Sequence, residues 1–508
     1  MTREVSRQAF LRGAFGALAA GVLVGSCRPR APLAPQATST ASAPRDRDWS
    51  ALAGSIGGRV ILPANGDYAN AKNLFNTRFD DSTPAAVVTV VSAGDVQKAL
   101  AFAATNGVKV TARSGGHSYI GDSAATGAMV IDLRQLPGGI TSDDGSGLAT
   151  VSAAADLDSV QTALAAHGRS IPTGSCPTVG VAGLTLGGGL GADARQWGLT
   201  CDALVSATVV LPSGETVIAA PDDHGDLYWA LRGGGGGHFG VATSFTFKTF
   251  PVADRDVVTQ VFPDGAAAQA TLGWHQWLST ADRANWGMVN ITGSNTGVRC
   301  TVVLATPAGE GPAAASDLGA AIGVTPISRD SQTLSHMDFV HYFAGGTDAT
   351  KPRAFVAGSD IIAEMTPAAA ASIVAAASAW PQAVGAATTV VESLTGAVSD
   401  IDPGGTAFPW RRQAALVQWY TEPSSATIDT EPSSATIDTE PSSATIGTAN
   451  NWLASAHEAV RPHSAGGYAN YPEPGAPAAR YFAGNLARLT AIRQSYDPGA
   501  LMYSSLTY

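Results

Sequence analysis

The sequence predicts an α+β fold in two domains, on three observations. Its 508 residues, 45% hydrophobic and only 14% charged, exceed what one compact domain usually holds and suffice for a large core. From Ala86 onward, short apolar runs alternate with stretches of helical period, which argues for layered sheet and helix rather than a sandwich. A β-rich stretch with a turn at Pro212-Ser-Gly214 follows.

The elements come in order. Residues 87–91 read as a strand. Val96, Ala99, Leu100 and Ala103 then share one face of a helix that starts at Asp95 and stops near Asn106-Gly107. Residues 108–111 read as the next strand. A second round has strands at 129–133 and 149–153, then a helix carrying Val160, Ala163 and Leu164 up to His167-Gly168. Residues 205–211 and 216–219 form a hairpin, and 241–247 a further strand. The alanine-rich residues 367–377 read as a packed helix.

Residues 1–27 read as an export signal, with Arg3, Arg7 and Arg12 ahead of an apolar run shorter than the roughly 20 residues of a membrane span. Ser6-Arg-Gln-Ala-Phe-Leu-Arg12 looks like a twin-arginine signal with Gln8 in place of the second arginine. Val24-Gly-Ser-Cys27 has the form of a bacterial lipobox. It reads either as a lipid anchor at Cys27 or as an ordinary signal with a chance cysteine. Residues 28–55, rich in Ala, Pro, Ser and Thr up to Pro44, read as a flexible tether. The expected location is therefore outside the cytoplasm.

A net charge of −11 argues against nucleic acid or an anionic membrane surface, both of which call for clustered Lys and Arg, and leaves a small neutral or apolar ligand. Four cysteines make no disulfide framework in a chain of this length. Cys176 and, outside the signal, Cys201 and Cys300 remain. No metal site is expected.

Glycine loops carry the chemistry. Arg113-Ser114-Gly115-Gly116-His117-Ser118-Tyr119 follows a strand, and its bare glycine N–H groups can approach a pyrophosphate closely. A second loop runs from Gly180 through Gly183 to Gly187-Gly188-Gly189, and a third through Arg232 to Gly240 and Val241. Gly174-Ser-Cys176-Pro-Thr-Val179-Gly180 sets Cys176 beside the second. Neither a Gly-Lys-Ser/Thr P-loop nor a clean Gly-x-Gly-x-x-Gly opening a βαβ unit is present. The arrangement suits a phosphorylated cofactor with two nucleophiles, His117 and Cys176, in reach of it.

These motifs resemble those of the bicovalent FAD-linked oxidases, the berberine-bridge-enzyme-like branch of the vanillyl-alcohol-oxidase (PCMH-type) family, over about residues 60–250 and the C-terminal forty. The resemblance implies a PCMH-type FAD-binding domain over 56–252 and a substrate domain with an antiparallel sheet flanked by helices over 253–450. A C-terminal segment over 451–508 returns to the FAD domain. It also implies FAD bonded through its 8α-methyl to His117 and through C6 to Cys176. Val179, three residues after the linking cysteine, goes in the family with oxidase rather than dehydrogenase behaviour. Gly467-Tyr-Ala-Asn470-Tyr471-Pro472 looks like the closing signature, whose tyrosine, Tyr471 here, serves as catalytic base in several members. Such a base requires a phenol pKa lowered by a cation or by hydrogen bonds to the phenolate.

Between the two blocks the likeness is weak. Phe408-Pro-Trp-Arg-Arg-Gln413 and Leu416-Val-Gln-Trp-Tyr420 resemble a strand pair on the substrate side. Trp274, Trp277, Trp286, Trp410 and Trp419 offer faces for stacking a sugar, or serve as core. The nine residues from Thr421 to Asp429 recur from Thr430 and from Thr439, ending there in Gly447, and read as a polar loop over 421–447. The expected function is oxidation of a carbinol carbon of a sugar or hydroxylated secondary metabolite, with dioxygen as acceptor. The alternatives are a dehydrogenase serving a quinone or other carrier and, further off, a tethered binding protein without turnover.

Overall fold

The structure is a computed structural model that describes residues 47–294, 297–344, 350–381, 385–423, 441–506 and 508. The export signal, Cys27 and most of the tether lie outside the described residues.

Short runs of β-branched residues build the first sheet. Strands β1 (Arg59–Ile61), β2 (Ala86–Thr89), β3 (Val110–Arg113) and β4 (Met129–Asp132) lie in the order β1-β2-β4-β3, with β4 parallel to both neighbours and β1 antiparallel at the edge. Every residue of β2 and β4 is buried, as parallel strands covered on both faces must be. The helix Ala93–Asn106 links β2 to β3, capped by the Ser92 side chain at its start and closed by Gly107 in the left-handed conformation.

The second sheet has five antiparallel strands: β5 (Ile140–Asp143), β6 (Leu148–Ser152), β8 (Leu204–Val210), β9 (Thr216–Ala219) and β10 (Val241–Lys248), in the order β5-β6-β10-β8-β9. β7 (Arg169–Ser170) pairs separately with β11 (Phe250–Pro251). The half-exposed, polar β5 gave no sequence signal.

Eight antiparallel strands make the third sheet, in the order β15-β12-β14-β13-β17-β18-β16-β19. They are β12 (Arg255–Phe262), β13 (Trp286–Ser294), β14 (Gly297–Pro307), β15 (Ser328–Leu334), β16 (Val356–Ile362), β17 (Gly385–Ser393), β18 (Ala415–Pro423) and β19 (Ser464–Gly466). One face packs on the helices Ala267–Thr280, Gly311–Ile322, Pro367–Ser378 and Ser443–Val460 through Val289, Ile291, Val391, Val417 and Trp419. Alternation along the strands turns Met288, Asn290, Val390, Glu392 and Gln418 to the other side, where they line a cavity.

Two expectations are corrected. Residues 408–413 form no strand, and only the following segment does, as β18. The repeat is not loop throughout: Thr421-Glu-Pro423 of its first copy ends β18, and Ser442 of its third copy caps the helix Ser443–Val460 by accepting the Thr445 N–H. Residues 424–440 lie outside the described residues. No described helix is long and apolar enough to cross a membrane. The chain end returns to the first sheet, where Val110 donates to Leu501 O at 3.0 Å and accepts from Tyr503 N at 2.7 Å.

Candidate active site

β3 ends at Arg113, and the chain then turns into the first glycine loop. The Arg113 side chain does not follow it. It is buried against Asp132 at the end of neighbouring β4, 2.7 Å away, and so holds the loop from below. Ser114 Oγ donates to Ala153 O at 2.7 Å. A Cβ on Gly115 would overlap the Gly180 nitrogen, and one on Gly180 would overlap Ser114 Oγ, so glycine at both positions lets the two loops touch.

A cavity of about 440 Å³ opens over this contact. Of the sequence-predicted residues, Ser114, Gly115, Gly116, His117, Ser118, Tyr119, Cys176, Val179, Gly180, Gly183, Gly240, Asn470 and Tyr471 line it. Arg113, Gly187, Gly188, Gly189 and Val241 do not. Gly187–Gly189 instead seat the C-terminal segment: a side chain at Gly187 would overlap Asn470, and Gly189 N–H donates to Tyr468 Oη at 2.7 Å. Asn470 Nδ2 donates to Leu184 O and to Tyr468 Oη, both at 2.9 Å. The five tryptophans considered for stacking are all buried and none lines the cavity; the phenol rings that do are Tyr119, Tyr468, Tyr471 and Tyr503.

His117 stacks on Phe75 with ring centroids 4.0 Å apart, and its Nε2 lies 2.9 Å from Thr178 Oγ1. Burial, helped by the charge of Arg353, lowers its pKa to about 4, so the imidazole is neutral and nucleophilic at ordinary pH. The Cys176 sulfur is open to the cavity, yet the surrounding protein desolvates it and raises its pKa, with Arg353 pulling the other way. Tyr119 stacks on Tyr471 at 4.9 Å, and Gln418 Nε2 donates to Tyr119 Oη at 2.7 Å.

The lowered phenol expected of Tyr471 is not found. Burial pushes it well above 10, and Tyr119, Glu392, Tyr468 and Cys176 add to the effect. No hydrogen bond to its Oη forms among the described residues. The group in the cavity with a pKa near neutrality is Glu392, raised by burial to about 7. Sequence reasoning missed Glu392, Asn290 and Gln418; the available signal was a lone carboxylate amid the apolar Val390-Val391 run of a strand.

FAD fits this cavity. Two buried polar atoms on its wall, Ser123 Oγ and His238 Nδ1, have no partner among the described residues. A Cβ at Gly183 or Gly237 would meet nothing within 4 Å, which leaves room for a ligand there. Family comparison agrees. Residues 84–220 match the model described as FAD binding domain, and residues 467–504 the one described as berberine and berberine like. In these two segments the chain is similar to berberine-like FAD-binding proteins.

The chain is 33% identical over 229 residues, 44% of its own length and 50% of the relative's, to an uncharacterized FAD-linked oxidoreductase, YgaK, of Bacillus subtilis. It is 37% identical over 211 residues to xylooligosaccharide oxidase of Thermothelomyces thermophilus, covering 40% of this chain and 42% of that one. The chain thus spans half or less of the length of these curated relatives. In fold it is similar to a solved structure of glucooligosaccharide oxidase from Acremonium strictum, with a TM-score of 0.78 and 22% identity over 90% of this chain and 98% of the other. That enzyme is described as carrying a 6-S-cysteinyl, 8α-N1-histidyl FAD.

Proposed function

We propose that this chain is an exported oxidase that holds FAD through both His117 and Cys176 and oxidises a carbinol carbon of a sugar or oligosaccharide. The observation that carries the reading is a single cavity that gathers His117, Cys176, Tyr471 and Glu392. Bound FAD supplies the acceptor for two electrons from the C–H bond and the place where dioxygen is then reduced to hydrogen peroxide. The protein's part is to hold the substrate hydroxyl and take its proton. A phenol raised as far as Tyr471 does not ionise unaided, so Tyr471 orients the hydroxyl while Glu392, half ionised near neutrality, is the proton sink. Asn290 of β13 and Gln418 of β18, on one cross-strand row through Val390 of β17, offer amides for the remaining hydroxyls. Val179 lies on the cavity wall where dioxygen would arrive.

The names of the relatives favour an oligosaccharide over a secondary metabolite. The five tryptophans are core, the other of their two readings, which leaves Tyr119 and Tyr471 to meet the sugar ring. An export signal over 1–27, a lipid anchor at Cys27 and the domain bounds at 56, 252 and 450 belong to the same proposal.

Acid precipitation of purified protein tests it. Yellow colour should stay with the pellet, peptides containing His117 and Cys176 should both carry flavin mass, and oligosaccharides under air should release peroxide. Unmodified peptides in active protein would end the two-bond reading. Slow reoxidation of the reduced enzyme under air would favour the dehydrogenase.

A further inference from the structure

Tyr471 stands on residues 467–473, a segment without regular secondary structure, so other groups must hold it. Ser359 in β16 does part of this: its Oγ accepts the Tyr468 N–H at 2.9 Å and lies 3.5 Å from Tyr471 O. Next to it Asp360 is fully buried, and its carboxylate gathers four donors. These are His457 Nδ1 and Ser464 Oγ at 2.6 Å, Trp419 Nε1 at 2.9 Å and Arg480 Nη2 at 3.0 Å.

His457 comes from the helix Ser443–Val460 and turns its other nitrogen to Glu473 Oε2, 2.7 Å away. Glu473 lies two residues beyond Tyr471, and its Oε1 accepts the Ser359 N–H at 3.1 Å. Arg480 Nη2 also donates to Ser359 O at 2.6 Å. Two carboxylates, one imidazole and one guanidinium therefore close a circuit around β16. Each buried carboxylate would be costly without its partners.

We propose that His457, Asp360, Glu473 and Arg480 form a clamp that positions the Tyr471 segment on β16, with protonated His457 as the bridge between Asp360 of the strand and Glu473 of the segment. The proposal rests on the reading of Tyr471 as a group of the active site. The clamp holds a positioning set, since none of the four lines the cavity. The charges facing His457 are Asp360, Glu473 and Arg480, with Trp419 and Ser464 as neutral donors to Asp360. Burial alone would depress the imidazole, but the hydrogen bond to Asp360 and the charges of Asp360 and Glu473 raise it to about 9. The bridge is therefore complete at neutral pH and is lost as pH rises through about 9. Without that proton the buried Asp360 and the partly buried Glu473 face one guanidinium.

Hydrogen exchange by mass spectrometry on flavin-loaded wild type, His457→Gln and Glu473→Gln tests the clamp. At about pH 7.5, wild type should protect residues 466–475, and both variants should lose roughly tenfold of that protection while peptides of β17 and β18 keep theirs. Wild type should show the same local loss at about pH 10 after correction for the intrinsic rate. Unchanged exchange in the variants, or loss spread evenly over β17 and β18, would overturn the proposal. If His457→Gln does not fold, the near-isosteric Glu473→Gln decides.

The second readout is the anaerobic rate of flavin reduction by an oligosaccharide that wild type oxidises. It should fall roughly tenfold in both variants at equal flavin content, and its alkaline limb near pH 9 should move to lower pH in Glu473→Gln. A loosened segment with an unchanged rate and limb would overturn the positioning role. A wild type that protects the segment but reduces no flavin with any sugar leaves the clamp standing and removes the oxidase reading instead.

Discussion

One wall of the cavity is made by glycine loops at 114–119, 174–183 and 235–240, another by the middles of β13, β17 and β18. The loops work through backbone: Gly115 against Gly180 is a contact that no side chain survives. Close approach demands particular residues in succession, so that wall is written as contiguous motifs. The sheet works through alternate side chains from three strands, from Met288 to Gln418, a span of 418 − 288 = 130 positions. Its members meet only because Met288 pairs with Glu392, and Asn290 with Val390 and through it Gln418. On the proposed reading, the loop wall holds the cofactor and the sheet wall meets the substrate.

Four variants break or sharpen that division. Glu392→Gln should lower the rate of substrate oxidation by about 10²–10⁴-fold, the usual range for a general base, with flavin content unchanged. Because Glu392 is protonated below about 7 and a base above it, the wild-type rate should climb through that pH and the variant should lose the limb. A fall in flavin content instead would erase the distinction between walls. Gly115→Ala should act in the opposite sense, with destabilisation of about 1–3 kcal/mol and loss of bound flavin, read by chemical denaturation and absorbance. Asn290→Ala should raise KM for an oligosaccharide about tenfold and leave kcat nearly unchanged, as loss of a uniform binding contact does. Deleting Thr430 through Gly447, two whole repeat copies, should leave flavin content unchanged and Tm within about 2 °C. Loss of flavin there would tie the repeat to the fold of the loop wall.

The sequence carried the first two sheets nearly strand by strand, because β2, β3 and β4 are apolar runs bounded by turns and helix caps. It carried thirteen of the residues around the cavity, because they lie in three loops and one C-terminal motif. What stayed hidden depends on contacts distant in the chain. Gly187–Gly189 look like another phosphate loop until Tyr468 and Asn470 are seen to fill the space beside them. Arg113 reads as part of the cofactor loop until Asp132 of the parallel neighbour claims its side chain. Glu392 is an unremarked residue until strand register sets it in a cavity whose burial raises its pKa to about 7. The tryptophans follow the ordinary rule that large rings go to the core, and Trp419 additionally donates to Asp360.

The repeat has a consequence for tolerated chain length. Every nine-residue unit holds both the Thr-Glu-Pro that finishes a strand and the Ser-Ser-Ala-Thr-Ile that begins a helix. A chain with one unit more or fewer would therefore keep the same junctions on either side and would still present Gln418 and His457 from the same two elements.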